Sequence, residues 1–198
     1  WARSAKRLGG GQFFSHGCHY VDLLLWLLGR PVKGTHAGTR KGTPWMEMEG
    51  SSFASIEFES GAIGHHAGTW GARGSRLGYS FHAHCEQGLL EVNYTDNKLY
   101  FHSGLQEERA GVHLNPSVTE VLMELDRDGP LTQHEIRHFA ECVLSGAKPL
   151  TDGPGSLQGL RVIWRLYEAE RKGVVADLRG LGLDEAWDAP GLAALPVQ

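Results

Sequence analysis

Gly9-Gly10-Gly11-Gln12-Phe13-Phe14-Ser15-His16-Gly17-Cys18-His19-Tyr20-Val21-Asp22, running into Leu23-Leu24-Leu25-Trp26-Leu27-Leu28-Gly29, decides how this chain is read. A glycine run opens it, two imidazoles and a carboxylate follow, and a leucine-rich stretch closes on glycine. The apolar run predicts a helix over 16–28, stopped by Gly29 and Pro31. His19 and Asp22 are three apart and so share a face near the N-terminal end of that helix. Imidazole titrates near neutrality, so a histidine held beside a carboxylate suits acid–base work. The same residues also read without chemistry, as a glycine loop before a buried helix that His19 merely caps.

Outward from this junction, residues 1–11 read as a polar, partly loose lead-in. Val32 to Arg40 reads as a strand, and Gly42 to Gly50 as a loop. Ser52 to Glu59 alternates, with Ala54, Ile56 and Phe58 on one face. Ser60-Gly61 turns it into Ala62 to Trp70, the clearest hairpin of the chain. Gly71 to Gly78 is a loop, and Leu77 to Cys85, Gly88 to Tyr94 and Lys98 to His102 are strands, the last two joined by Thr95-Asp96-Asn97. Residues 103–118 read as loop. Thr132 to Leu144 and Ser156 to Arg171 are amphipathic helices, the first with Ile136, Phe139, Val143 and Leu144 on its buried side. Val174 to Asp177 is a short strand, and the tail with Pro190 and Pro196 an extended arm. Helix, strands, then helices give an α+β fold, a mostly antiparallel open sheet with helices packed on one face. The expected division is a domain over 1–178 and a tail over 179–198.

The 198 residues, 41% hydrophobic and 21% charged, are ordinary for a soluble globular protein. A net charge of −4 with scattered Lys and Arg argues against nucleic acid as a partner. No run is long and apolar enough to suggest a membrane span. Three separated cysteines make a disulfide framework an unlikely design and point to a reducing, cytoplasmic location. The chain opens at Trp1 without Met, and it reads as the later part of a longer polypeptide.

Other motifs carry less. His134-Glu135-Ile136-Arg137-His138 matches the zinc-protease pattern, with both imidazoles on one helix face, which makes a zinc hydrolase a rival reading. It lacks an identifiable third ligand, and no metal is expected. His82-x-His84 would present two imidazoles on one strand face, and the adjacent His65 and His66 point to opposite faces. Gly9-Gly10-Gly11 is not a dinucleotide fingerprint, because no strand precedes it and the spacing is wrong. Trp45, Trp70, Arg73, Arg76 and Tyr79, in or beside loops at strand ends, suit a sugar-like or anionic ligand.

With those residues laid out, Gly9 to Gly29 resembles the start of the C-terminal domain in the Gfo/Idh/MocA family of NAD(P)-dependent oxidoreductases. That family carries a triple-glycine loop, an Asp-x-x-x-His pair, a further Asp three residues on, and a helix ending like Trp26-Leu27-Leu28-Gly29. Phe58-Glu59-Ser60-Gly61-Ala62 resembles its sheet hairpin. His138-Phe139 and Ser145 to Gly153 are similar to its closing helix pair and turn, so the likeness spans residues 9 to 177. The resemblance implies that His19 is the catalytic acid–base group, with Ser15, His16 and Asp22 beside it in the substrate site and Asp22 orienting the helix or His19. Trp70 and Arg73, from their loops, are the further substrate-binding candidates. Ser15 stands where the family has the first Asp, which removes a negative charge. It also implies NAD or NADP as cofactor and a sugar, cyclitol or related small molecule as substrate. The family's N-terminal Rossmann domain is absent from this chain, so the cofactor-binding residues are unknown and the chain alone is expected to be inactive. A homo-oligomer formed through the sheet face is a further implication. The remaining rival is a non-catalytic scaffold of the same fold.

Overall fold

The computed structural model describes residues 1–74, 78–104, 107–109, 112–114, 117–125 and 132–182. In chain order the first elements are α1 (Ala5–Leu8), α2 (Gln12–Ser15), α3 (Gly17–Leu28), β1 (Pro31–Thr39), β2 (Ser51–Phe58) and β3 (Ile63–Thr69). Next come β4 (Ser80–Cys85), β5 (Gly88–Asn93), β6 (Lys98–Gly104), β7 (Glu107–Arg109), β8 (Val112–Leu114) and β9 (Ser117–Glu124). The chain continues with α4 (Thr132–Ser145), α5 (Gly153–Lys172) and β10 (Ala176–Asp177). They fall into two compact units, one made of Trp1–Ala72 with Lys148–Gln198, the other of Arg73–Ala147.

In the first unit an antiparallel sheet has the order β10-β1-β2-β3. Period two along β2 sends Ala54, Ile56 and Phe58 inward, as read from the sequence, while Phe53 is exposed. Helices α2, α3 and α5 cover that inner face, and Phe13, Val21, Leu25, Ile56, Phe58, Val162, Ile163 and Leu166 form the core. Asp152 caps α5 by accepting from Gly155 N–H at 2.8 Å, with Pro154 in the first turn. The lead-in is ordered rather than loose. Ala5 N–H donates to Glu47 Oε2 at 2.7 Å, Leu8 is buried, and Gly9 ends α1 at φ 87°. The helix expected over 16–28 begins at Gly17, because His16 separates it from the short α2.

In the second unit the order is β4-β5-β6-β9, again antiparallel, with β7 and β8 forming a separate ribbon. The α+β class with antiparallel sheets and helices on one face therefore holds, with the strands divided between two sheets. Residues 103–118, expected as loop, contain β7, β8 and the start of β9. Strands of three residues such as β7 and β8 are too short to carry a periodic signal, and ladder pairing supplies what propensity does not. Helix α4 forms as expected, but Ile136, Phe139, Val143 and Leu144 are exposed and only Cys142 is buried. Its amphipathic pattern was right, and no described element covers the apolar side. The expected tail beyond Gly182 lies outside the described residues, as does Arg76.

Candidate active site

The glycine run earns its composition through close packing. A Cβ on Gly11 would lie 2.1 Å from the Glu49 carboxyl group, and one on Gly10 would lie 2.5 Å from Phe14. The buried Glu49 and the hydroxyl of Tyr167 hold the loop in place. Gly11 N–H and Phe14 N–H donate to Tyr167 Oη at 3.1 and 3.2 Å, and Tyr167 Oη donates to Glu49 Oε1 at 2.5 Å. Phe13 N–H donates to the same Glu49 oxygen at 3.1 Å. Burial first, then the Glu49 carboxylate, pushes the Tyr167 hydroxyl far up, so it remains a donor at any physiological pH. With these N–H groups engaged and no space between the glycines and Glu49, the loop does not fit a dinucleotide phosphate.

Above this clasp, α3 presents His19 to solvent. The His16 ring stands edge-on to it, with centroids 5.9 Å apart, and lies 5.9 Å from Tyr20 and 6.5 Å from Trp70. Burial, then the neighbouring His19, lowers the His16 pKa. Burial raises the Asp22 carboxyl, and His19 pulls it partly back. The two attract across the helix face, and no hydrogen bond joins them. The Ser15 carbonyl accepts from Cys18 Sγ at 3.7 Å. Thus His16, His19 and Trp70 gather with Tyr20, which the sequence did not single out. Arg73 is exposed and belongs to the other unit.

A buried layer lies beneath. Phe13 stacks on His36 at 4.5 Å and contacts His66 at 5.2 Å and Tyr167 at 5.8 Å. His66 Nε2 is 3.4 Å from Ser52 Oγ, which donates to Gln12 Oε1 at 2.5 Å. Burial, His36 and His16 hold His66 down at about 4, so it is neutral at pH 7. His36 Nδ1 meets Glu170 Oε2 at 2.7 Å, and Glu170 Oε1 accepts Gly38 N–H at 2.8 Å. The alternation at His65 and His66 announced one inward imidazole. Nothing local marked Glu49, which sits in a loop 118 residues from Tyr167.

The remaining histidine motifs belong to the second unit. His138 Nε2 is 3.6 Å from Cys142 Sγ within α4. On the second sheet, Glu91 Oε2 lies 3.2 Å from His102 Nε2 and 4.0 Å from His82 Nε2. Among the described residues, no three His, Cys, Asp or Glu side chains are grouped to hold a metal.

Residues 1–91 match the family model of the GFO/IDH/MocA C-terminal domain, a stretch that includes Gly9 to Gly29. Solved structures extend the fold. The aldose-aldose oxidoreductase from Caulobacter crescentus, complexed with glycerol, superposes with a TM-score of 0.69 at 21% identity, covering 90% of this chain and 50% of that one. Levoglucosan dehydrogenase in complex with NADH and L-sorbose gives 0.71 at 16%, covering 90% and 52%. An oxidoreductase domain protein from Kribbella flavida gives 0.68 at 16%, covering 90% and 54%. The chain spans about half the length of each. No curated protein sequence matches it. No helix among the described residues is long and apolar enough to cross a membrane.

Proposed function

We propose that this chain is the substrate-binding half of a cytoplasmic NAD(P)-dependent oxidoreductase acting on a sugar, cyclitol or related polyol. The observation that carries the reading is the exposed His19 beside His16, whose ring also meets Tyr20 and Trp70, on a junction clasped by Glu49 and Tyr167. His19 takes the proton of a substrate hydroxyl as the carbon bearing it is oxidised, and returns it in the reverse direction. Its neighbour His16, with a lowered pKa, stays neutral and accepts or donates a hydrogen bond without adding charge. Trp70 supplies a flat apolar wall of the kind that packs on a sugar ring. Ser15 and Asp22 complete the substrate side of this assignment. A nicotinamide cofactor, held by a dinucleotide-binding half outside these residues, supplies hydride acceptance when bound.

The same proposal treats residues 1–178 as one functional domain followed by a tail, and the second sheet as a self-association surface. Exposed Val118, Val121 and Met123 on β9 support the latter. Ser15, which lacks the charge of the family's aspartate, favours a second reading, a binding module that has lost catalysis.

The test begins with the mass of the native polypeptide that carries the Gly9–Asp22 peptide. A product of roughly twice this length supports the oxidoreductase, and one of this length favours the binding module. In the longer product, His19→Gln is expected to cut kcat by about 100-fold or more while NADH binding is unchanged. Unaltered kcat would reject His19 as the acid–base group. A large gain from Ser15→Asp identifies a decayed enzyme. The 198 residues alone are expected not to turn over.

A further inference from the structure

The first unit contains a cleft of about 880 Å³ that neither His16, His19 nor Asp22 lines. One wall is a stripe of α5 formed by Arg161, Trp164, Arg165, Glu168 and Arg171. Their spacing of three and four residues puts them on one helix face. Thr39 and Arg40, the loop Glu47–Glu49, and Gly9 and Gly10 supply the rest.

The charges in this cleft are unevenly committed. All four lining carboxylates already have partners. Glu47 accepts from Ala5 N–H, Glu49 from Phe13 N–H and Tyr167, Glu170 meets His36 and Gly38 N–H, and Glu168 meets Lys172 and Arg165. Among the guanidinium groups, Arg165 is paired with Glu168, and Arg161 bonds only the neutral amide of Gln158 at 2.9 Å. Arg40 and Arg171 form no side-chain hydrogen bond or ion pair among the described residues. A carboxylate bonded to neutral donors keeps its charge, so the four carboxylates balance the four guanidiniums. What the pairing leaves is two guanidiniums with free donors, Arg40 and Arg171, the latter within the field of Glu168.

Their placement is also defined. The 2.8 Å bond from Gly38 N–H to Glu170 ties the end of β1 to the last turn of α5, which puts Arg40 and Arg171 at the same end of the cleft. Trp164 lies seven residues back, ~10 Å along the helix axis. Its indole stacks on Phe14 at 6.1 Å and is still 46% exposed.

We propose that this cleft binds a phosphate monoester carrying a planar ring, a ligand of nucleoside monophosphate size, with the phosphate at Arg40 and Arg171 and the ring on Trp164. Guanidinium forks match phosphate oxygens, and an indole with an open edge and face takes a flat ring. The cleft has the size of a small-molecule site, and a bare phosphate would leave its aromatic end empty.

Calorimetric titration of the 198-residue chain with AMP, adenosine and inorganic phosphate tests this. AMP is expected to bind with Kd below about 1 mM, and each fragment at least about tenfold more weakly. Arg40→Glu with Arg171→Glu, both exposed positions, is expected to weaken AMP by more than about tenfold. Trp164→Ala is expected to weaken AMP and leave phosphate unchanged. Lys41→Glu, an exposed reversal beside Arg40 but outside the cleft lining, is expected to change AMP affinity by less than about twofold. The proposal is overturned by absence of saturable AMP binding up to about 10 mM, by AMP binding that survives the double reversal, or by phosphate binding as tightly as AMP. An equal loss with Lys41→Glu would overturn it too, as an effect of net charge.

Discussion

The two units solve the same problem differently. Both carry a four-stranded antiparallel sheet. In the first, α2, α3 and α5 lie over one face, and Ile56, Phe58, Ile163 and Leu166 are sealed beneath them. In the second, no residue of 80–85, 88–93, 98–103 or 118–124 is buried, and Val118, Val121, Leu122, Met123 and Leu125 are each at least half exposed. Apolar content does not separate the two. What separates them is a helix with a matching face to cover the sheet, since burial and not composition carries the hydrophobic stabilisation. The candidate site lies in this covered unit, where the packed α3 holds His16 and His19 in place.

The sharpest contrast is expected from truncating one side chain in each sheet. Phe58→Ala, in the sealed layer, should cost about 3–5 kcal/mol, whereas Met123→Ala should cost less than about 1 kcal/mol. Hydrogen exchange resolved by unit reads both, and comparable losses would end the distinction. Next comes Tyr167→Phe, which leaves two N–H groups without their acceptor and Glu49 Oε1 with Phe13 N–H alone as donor. It should destabilise the first unit by about 3 kcal/mol and release the Gly9–Gly11 loop to rapid exchange. A protected loop in that variant would show that the clasp does not hold the junction.

Acid should distinguish the units by a smaller margin. His66 has its folded pKa depressed to about 4 from 6.5, so between these values the unfolded chain binds the extra proton. Stability from this group is therefore full above pH 6.5, falls as pH drops toward 4, and is then lost, on the order of 2–3 kcal/mol in all. Asp22, whose pKa is raised, acts in the opposite sense near the low end of that window. Unfolding midpoints at pH 7 and pH 4.5 for wild type and His66→Gln measure the effect, and an unchanged pH slope in the variant would remove His66 as its source. The smallest effect is expected from Asp152→Ala. It removes the cap of α5 for about 1 kcal/mol in the first unit alone, visible as faster exchange at the helix start.

Legibility in the sequence followed the range of the interactions. Helix α3, the β2–β3 hairpin and both long helices are set by periodicity and by Gly29, Gly61 and Gly173 at their turns or ends, and all are readable within a few residues. His19 and His16 stood out because the junction is short and its residue types are chemical. Glu49 and Tyr167 did not, because each looks ordinary where it stands and matters only through a partner far along the chain. The ribbon β7–β8 and the exposed side of α4 were misread for the same reason. Pairing and coverage belong to tertiary context, and an amphipathic pattern states that a face is apolar without stating what lies over it.

The Tyr167 clasp also sets an order of events at birth. Gly11 and Phe14 meet that hydroxyl across 156 and 153 residues of chain, with the whole second unit synthesised in between. At ribosomal speeds of about 5–20 residues per second, the glycine junction waits on the order of ten seconds for the residue that fastens it. During that interval Phe13 and Phe14 have no Tyr167 or Trp164 to pack against, and the nascent segment is open to holdase chaperones. The junction that leads into His19 is thus made well before it is secured.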